Sequence, residues 1–296
     1  MQIEKIYPAS NIQASIVAGY LASNKKDYIG QLTIPVSNID HLPLNRAVQI
    51  LYARHEALRT AFDWQNQKGV TSVVADKLPP ANYINEYTVE NINSIDHIED
   101  EEAEILTLNK PPLIRLALIR CDAKSFLLWT RHHAVTDQES IKIFWSELWH
   151  FYSNPHVQLQ KAAPFSDFAI LKATNLVDAP VYHEYLPLVD DKRIENTYTL
   201  QSSELTNVLG YQKNSNVTLA SYTLSAFCLA LAEILSSDSF TVGYVESDRP
   251  DRFKNSIGLY IKESLIRQDQ ANLVTIGEHR SHIFKSVLGQ RNVNYN

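Results

Sequence analysis

The chain has 296 residues, 45% of them hydrophobic and 20% charged, with a formal net charge of −6. That length exceeds one domain of typical size and suits two. The acidic balance, without a long run of lysine or arginine, argues against nucleic acid or an anionic membrane surface as the main partner.

The opening MQIEKIYPASNIQ has no apolar signal core. No apolar run approaches the ~20 residues that span a bilayer, so the expectation is a cytoplasmic protein. Residues 9 to 23 predict a first helix with Ile12, Ile16, Val17 and Tyr20 on one face. GQLTIPV predicts a strand, with Pro35 marking an edge or an end. Residues 43 to 58 keep helical spacing through Leu44, Ala47, Val48, Leu51 and Leu58, and Pro43 suits a first turn. VTSVVA is a further strand, and residues 96 to 107 form an acidic helix. LIRLALIRC and KSFLLWTR read as neighbouring strands joined at Asp122-Ala123-Lys124. Residues 138 to 152 follow as a helix with a wide apolar stripe from Ile141 to Tyr152. Residues 172 to 192 are irregular and mark a domain boundary. Beyond them come a strand (NTYTLQ), helices over 203 to 212 and 218 to 235, strands SFTVGYV and IGLYIKESLIR, and a helix over 272 to 288. Strands and helices alternate in both halves, which predicts two α/β or α+β layers. The two cysteines, Cys121 and Cys228, lie in apolar segments. They make neither a disulfide framework nor a zinc site, and fit a reducing compartment.

The stretch WTRHHAVTDQES, residues 129 to 140, sets His132 and His133 side by side with Asp137 four residues on, between a strand and a helix. A histidine near neutrality can take a proton and return it. Adjacent residues of an extended segment point to opposite faces. One histidine would therefore face a cavity while the other packs or holds the loop. Asp137 would shape the turn or bind an arginine from elsewhere. From these residues alone, an active site and two satisfied structural histidines both stand open. A metal site fits less well, since face-matched helical spacing and a nearby cysteine are both missing.

Six segments in order resemble the condensation domains of nonribosomal peptide synthetases. They are YPASNIQ, with Gln13 at the family's glutamine; RHEALRTAF (54 to 62); RHHAVTDQES, beside the family's His-His-x-x-x-Asp-Gly; FSDFAI (165 to 170); VGYVESDRP (242 to 250); and IGLYIKESLIR (257 to 267). The resemblance covers nearly the whole chain. It implies an α/β (α+β) fold of two chloramphenicol-acetyltransferase-like lobes in a V, with an active-site tunnel between them and the second lobe incomplete. The N-terminal lobe would be residues 1–174 and a short C-terminal lobe residues 175–296. The implied reaction joins an acyl thioester on a carrier protein's phosphopantetheine arm, or on CoA, to an amine or hydroxyl nucleophile, free or carrier-bound. The product is an amide or ester, and the chain itself would hold no cofactor and no metal. Implied partners are acyl or peptidyl carrier proteins, with no nucleic acid and no membrane. By the same resemblance, His133 is the base or positioning group, His132 gives structural support, and Asp137 pairs with Arg249. Arg54, His55, Glu56, Arg59 and Thr60 read as structural, and Asp167 as fixing the segment that leaves the first lobe.

Three departures qualify the resemblance. Gln138 stands where the family has glycine beside the donor tunnel. It would narrow that channel, read a polar donor, close the donor's entry, or simply start the helix outside the tunnel. The chain ends at QRNVNYN, short of the family's usual length, as a fragment, a compact variant, or a chain completed by a second one. Lys262 and Glu263 stand near the family's usual asparagine. The alternatives are a non-catalytic condensation-like module that binds a carrier protein or partner, and a CoA-dependent acyltransferase of the same superfamily, whose Asp-Phe-Gly-Trp-Gly segment is missing.

Overall fold

A computed structural model describes residues 2–22, 25–37, 39–65, 69–78, 83–121, 124–174, 199, 201–214, 217–237, 239–269 and 276–292. The chain divides into two units, Met1–Ala179 with Ser247–Ile261, and Pro180–Glu246 with Lys262–Asn296. The expected boundary places all of 175–296 in the second lobe. Residues 247–261 instead pack with the first unit, because backbone groups of this stretch are bonded to that unit's side chains.

The first unit is built on two sheets. One has the order β1 (Ile3–Pro8), β4 (Thr71–Ala75), β3 (Thr60–Asp63), all antiparallel. The other runs β2 (Ile29–Val36), β7 (Lys124–His132), β6 (Ile114–Cys121), β5 (Ile84–Val89), with β5 parallel to β6 and the other pairs antiparallel. β6 is apolar at nearly every position and six of its eight residues are buried, as a central strand covered on both faces requires. β2 is an edge strand, so Pro35 withholds no ladder donor that the sheet needs.

Helices α1 (Asn11–Ala22), α2 (His41–Arg54), α3 (Ile95–Ile105), α4 (Gln138–Ser153) and α5 (Phe165–Thr174) cover these sheets. α2 buries Leu44, Ala47, Val48 and Leu51 along one stripe. The Tyr52 hydroxyl donates to the Ile114 carbonyl and ties α2 to β6. α4 buries Phe144, Leu148 and Phe151, with Trp129 of β7 packed on Phe144 and Trp145. A side chain of this kind, fully buried, stabilises by about 1.5–3 kcal/mol.

The second unit contains α6 (Ser202–Asn214), α7 (Leu219–Leu235), the paired strands β8 (Ser239–Ser247) and β9 (Ile261–Asp269), and α8 (Ile276–Asn292). Thr218 caps α7 by accepting from Ser221 N at 3.1 Å. Cys228, Ile266, Ile283 and Val287 make its core. Both cysteines are free and buried. Among the described residues, no helix is long and apolar enough to cross a membrane.

Several elements differ from expectation. β1 and β5 are additional strands, α5 is an additional helix, the helix expected over 43 to 58 ends at Arg54, and the strand expected from residue 257 begins at Ile261. The expected strand NTYTLQ lies almost wholly outside the described residues.

Candidate active site

β7 runs straight into the histidine pair. His132 ends the strand, residues His133–Val135 form a 3-10 turn, and Gln138 begins α4. His132 faces inward and is fully buried. Its Nδ1 accepts the Ala134 N–H at 3.1 Å, and its ring meets Tyr20 edge-on and stacks on Tyr28. Burial, with the neighbouring charges of His133 and Arg131, pulls its pKa down to about 4. It is therefore a neutral packing group at neutral pH.

His133 is exposed. Its Nδ1 lies 3.3 Å from the Thr136 carbonyl, which can only accept, so Nδ1 carries the hydrogen and Nε2 keeps its lone pair. Partial burial and the Arg131 charge hold its pKa below the ordinary histidine value, against the upward pull of the Thr136 carbonyl. The result is one neutral, accessible base beside one buried, inert histidine.

Asp137 is the hub beneath this loop. Its Oδ1 caps α4 by accepting from Ser140 N at 2.7 Å, and its Oδ2 accepts from Tyr260 N at 2.9 Å. The Nη2 of Arg249 lies 2.8 and 3.0 Å from the two carboxylate oxygens. The guanidinium also donates from Nη1 to the carbonyls of Phe253 and Ser256, at 2.8 and 2.5 Å, and lies 4.0 Å above the Tyr260 ring. Ser140 Oγ accepts from Gly258 N and from Arg249 Nη2, and donates to the Gly258 carbonyl. The structure thus brings together Asp137 and Arg249, 112 positions apart.

Gln13 enters from α1. It completes a reciprocal cap with Ser10, and its Nε2 donates to the Ala134 carbonyl at 3.0 Å. The RHEALRTAF segment acts one layer behind. Arg54 Nε and His55 Nε2 both reach Glu147 Oε2 of α4, at 2.9 and 2.8 Å, while His55 Nδ1 accepts from Ile257 N. Glu56 binds Lys5 and Ser166 N, and Arg59 holds Glu4, the Tyr52 carbonyl and the Ala75 carbonyl. Asp167, expected to fix the segment leaving the first lobe, is exposed in the first turn of α5. Ser166, through its backbone N–H, is the residue that anchors there.

Gln138 is exposed at the first position of α4, directly after the hub. Lys262 and Glu263 lie in β9, where Lys262 Nζ is 3.4 Å from Glu246. Sequence does not single out four residues that complete the site: Arg131, Thr136, Ser140 and Tyr260. Arg131, Thr136 and Ser140 flank the histidines and Asp137, and Tyr260 lies in IGLYIKESLIR, yet only the geometry shows what they hold.

The mixed helix-and-strand architecture is the chloramphenicol-acetyltransferase-like fold. The chain superposes on the condensation domain from Monacolin K polyketide synthase MokA with a TM-score of 0.77 at 15% identity, covering 99% of this chain and 74% of that one. It superposes on the epimerization domain of tyrocidine synthetase module TycB3 with a TM-score of 0.78 at 16% identity, covering 97% and 74%. The chain belongs to the condensation-domain family, whose family model, described as Condensation domain, matches residues 3–177. Among curated relatives it is 24% identical over 300 residues to a linear gramicidin synthase of Brevibacillus parabrevis, covering 90% of this chain. It is also 24% identical over 337 residues to a plipastatin synthase of Bacillus subtilis, covering 99% of this chain. It spans 6% and 13% of the lengths of those two synthases. Members of the family are acyltransferases that form amide bonds and work with carrier-protein domains in multidomain synthetases.

Proposed function

We propose that this chain catalyses acyl transfer of the condensation type, from a carrier-bound thioester to an amine, with His133 as base. The observation that carries this reading is the state of His133: exposed, neutral, its Nδ1 hydrogen committed to Thr136, and its Nε2 lone pair available. The amine nitrogen attacks the thioester carbonyl carbon, and Nε2 accepts a proton from that nitrogen. The C–S bond then breaks, and the proton leaves with the thiol. General base catalysis of this kind is worth ~10²–10⁴ in rate. Holding two tethered reactants in line can supply a further ~7–11 kcal/mol, so loss of His133 would slow the reaction without abolishing it. His132, Asp137 and Arg249 act as supports that fix the loop, and a division into lobes of 1–174 and 175–296, with 247–261 returned to the first, belongs to the same proposal. Gln138 would tune the donor from the start of α4. The proposed partners are acyl or peptidyl carrier proteins presenting phosphopantetheine arms.

The test loads candidate donor carriers with acyl groups, adds amines, and measures amide formation by the wild type and His133→Ala. The expected result is product with the wild type and a loss of ~10²–10⁴ with the variant. Carrier binding without turnover under every pairing would instead make the chain a binding module.

A further inference from the structure

Arg131 of β7, two residues before His133, is left unused by the proposed reaction. It sits on β7, registered against Gly30 of the edge strand β2. Its guanidinium lies flat there, since a Cβ at Gly30 would come within 3.1 Å of Cζ and Nη2. The group is also 5.5 Å from the Trp129 ring. Its hydrogen bond is a long one, from Nη1 to the Thr136 hydroxyl at 3.3 Å. Thr136 thus holds two groups at once, Arg131 through its hydroxyl and His133 through its carbonyl.

No carboxylate pairs with Arg131 among the described residues. The other buried or half-buried arginines of this unit at its core all find one: Arg54 with Glu147, Arg59 with Glu4, Arg115 with Glu102, Arg249 with Asp137. The guanidinium carries five N–H donors, and none of its nitrogens is a buried atom without a partner, so the donors that Thr136 does not take reach solvent and can meet an anion. Gly30 receives one face of the guanidinium, and the N–H edge is left to meet water or an incoming group. A single guanidinium matches one planar negative group, held by two parallel hydrogen bonds.

We propose that Arg131 is an anion site beside His133, and that it receives a carboxylate carried by the nucleophile, a reading that rests on His133 as the base. The substrate class is then an amine bearing a free carboxylate, such as an unactivated amino acid, and Arg131 sets which end of it faces His133.

Acetate and acetamide, equal in shape and different in charge, serve as probes. Protein carrying 13C-labelled histidine is titrated with acid, and the His133 resonance is assigned by its loss in His133→Ala. Acetate is expected to move the His133 midpoint upward by neutralising the neighbouring cation, and acetamide to leave it in place. Arg131→Gln is expected to raise the resting midpoint and to remove the acetate response. Arg131→Lys keeps the charge without the planar fork, and is expected to weaken acetate about tenfold. Equal responses to acetate and acetamide, or an acetate response that survives Arg131→Gln, would overturn the site. Displacement of acetate by lower concentrations of 4′-phosphopantetheine would assign the anion to a phosphate and overturn the carboxylate. The readout needs no turnover. An acetate response without amide product in the carrier assay therefore keeps the anion site and discards the nucleophile.

Discussion

Breaking the Asp137–Arg249 pair gives the sharpest test of how the loop is held. Both side chains are nearly inaccessible, at 6% and 7% exposure. Arg249→Ala removes the 2.8 and 3.0 Å contacts to Asp137, the 2.8 Å contact to Ser140 Oγ, and the donors to two carbonyls. Asp137 keeps the amides of Ser140 and Tyr260, so its charge is only partly stranded. Removing one member of a buried pair costs ~3–5 kcal/mol, and the retained amides place this case toward the lower end. Asp137→Ala also strips the cap of α4, adding ~1 kcal/mol. The double variant is expected to cost less than the sum of the two, with a coupling of ~1–3 kcal/mol, because neither charge is then left behind. Urea unfolding followed by tryptophan fluorescence measures the effect cleanly. All four tryptophans, Trp64, Trp129, Trp145 and Trp149, belong to the first unit, so the signal reports that unit. A cost below ~1 kcal/mol for Arg249→Ala, or additive single costs, would refute the pair as the loop's support.

Glu147→Ala leaves Arg54 without its carboxylate and buried His55 without an acceptor. The same fluorescence assay should show a loss of ~3 kcal/mol, and Glu147→Gln a smaller one. Acid stability follows from His132, whose folded pKa of about 4 lies below the ordinary 6.5. The unfolded chain takes the proton first, so this contribution is complete above pH ~6.5 and lost as pH falls toward ~4, by about 3 kcal/mol. His132→Asn keeps an acceptor for the Ala134 N–H and should flatten that limb of a stability–pH curve. If an unchanged acid limb is measured, the loss belongs to other groups. Because the His133 pKa is held below 6.5, kcat/KM expressed per unprotonated amine should be level near pH 7 and fall only on the acid side. A midpoint above 7 would contradict the base assignment. A side chain at Gly258 would overlap the buried Phe165 ring, so Gly258→Ala should cost ~1–3 kcal/mol by tryptophan-monitored unfolding.

Helices α2 and α4 were legible because their apolar stripes are long. α2 and α4 repeat buried residues over several turns, whereas β1 and β5 offer six residues each with few apolar positions buried. The 257–260 stretch misled for a different reason. Its residues look strand-like, but its N–H groups are taken by side chains: Ile257 by His55, Gly258 by Ser140, Tyr260 by Asp137. Composition cannot show that a backbone bonds side chains in place of a ladder. The Asp137–Arg249 contact was readable only through ordered motifs, since nothing in local spacing links positions 112 apart. Arg131 was invisible as a site residue because its interest lies in the lack of a carboxylate partner among the described residues, which only the folded chain reveals.

Asp137 does three jobs with one carboxylate. It caps α4, it binds Arg249, and it accepts the Tyr260 amide, so it joins three chain segments directly behind the histidine turn. His133 itself makes few bonds, and its proposed role requires that, because a base with every valence satisfied could not accept a proton. Rigidity must therefore come from its neighbours: Gln13 and His132 on Ala134, Thr136 on the ring, and Asp137 at the turn's exit. Loops carrying chemistry need this division between a sparsely bonded reacting group and densely bonded supports. It follows that a change at Gln13 should alter the rate by misplacing His133 while leaving its titration nearly unmoved, whereas loss of Asp137, whose charge pulls the His133 pKa up, should also lower that titration. Arg131 should do the reverse, shifting the titration of His133 with the loop still in place.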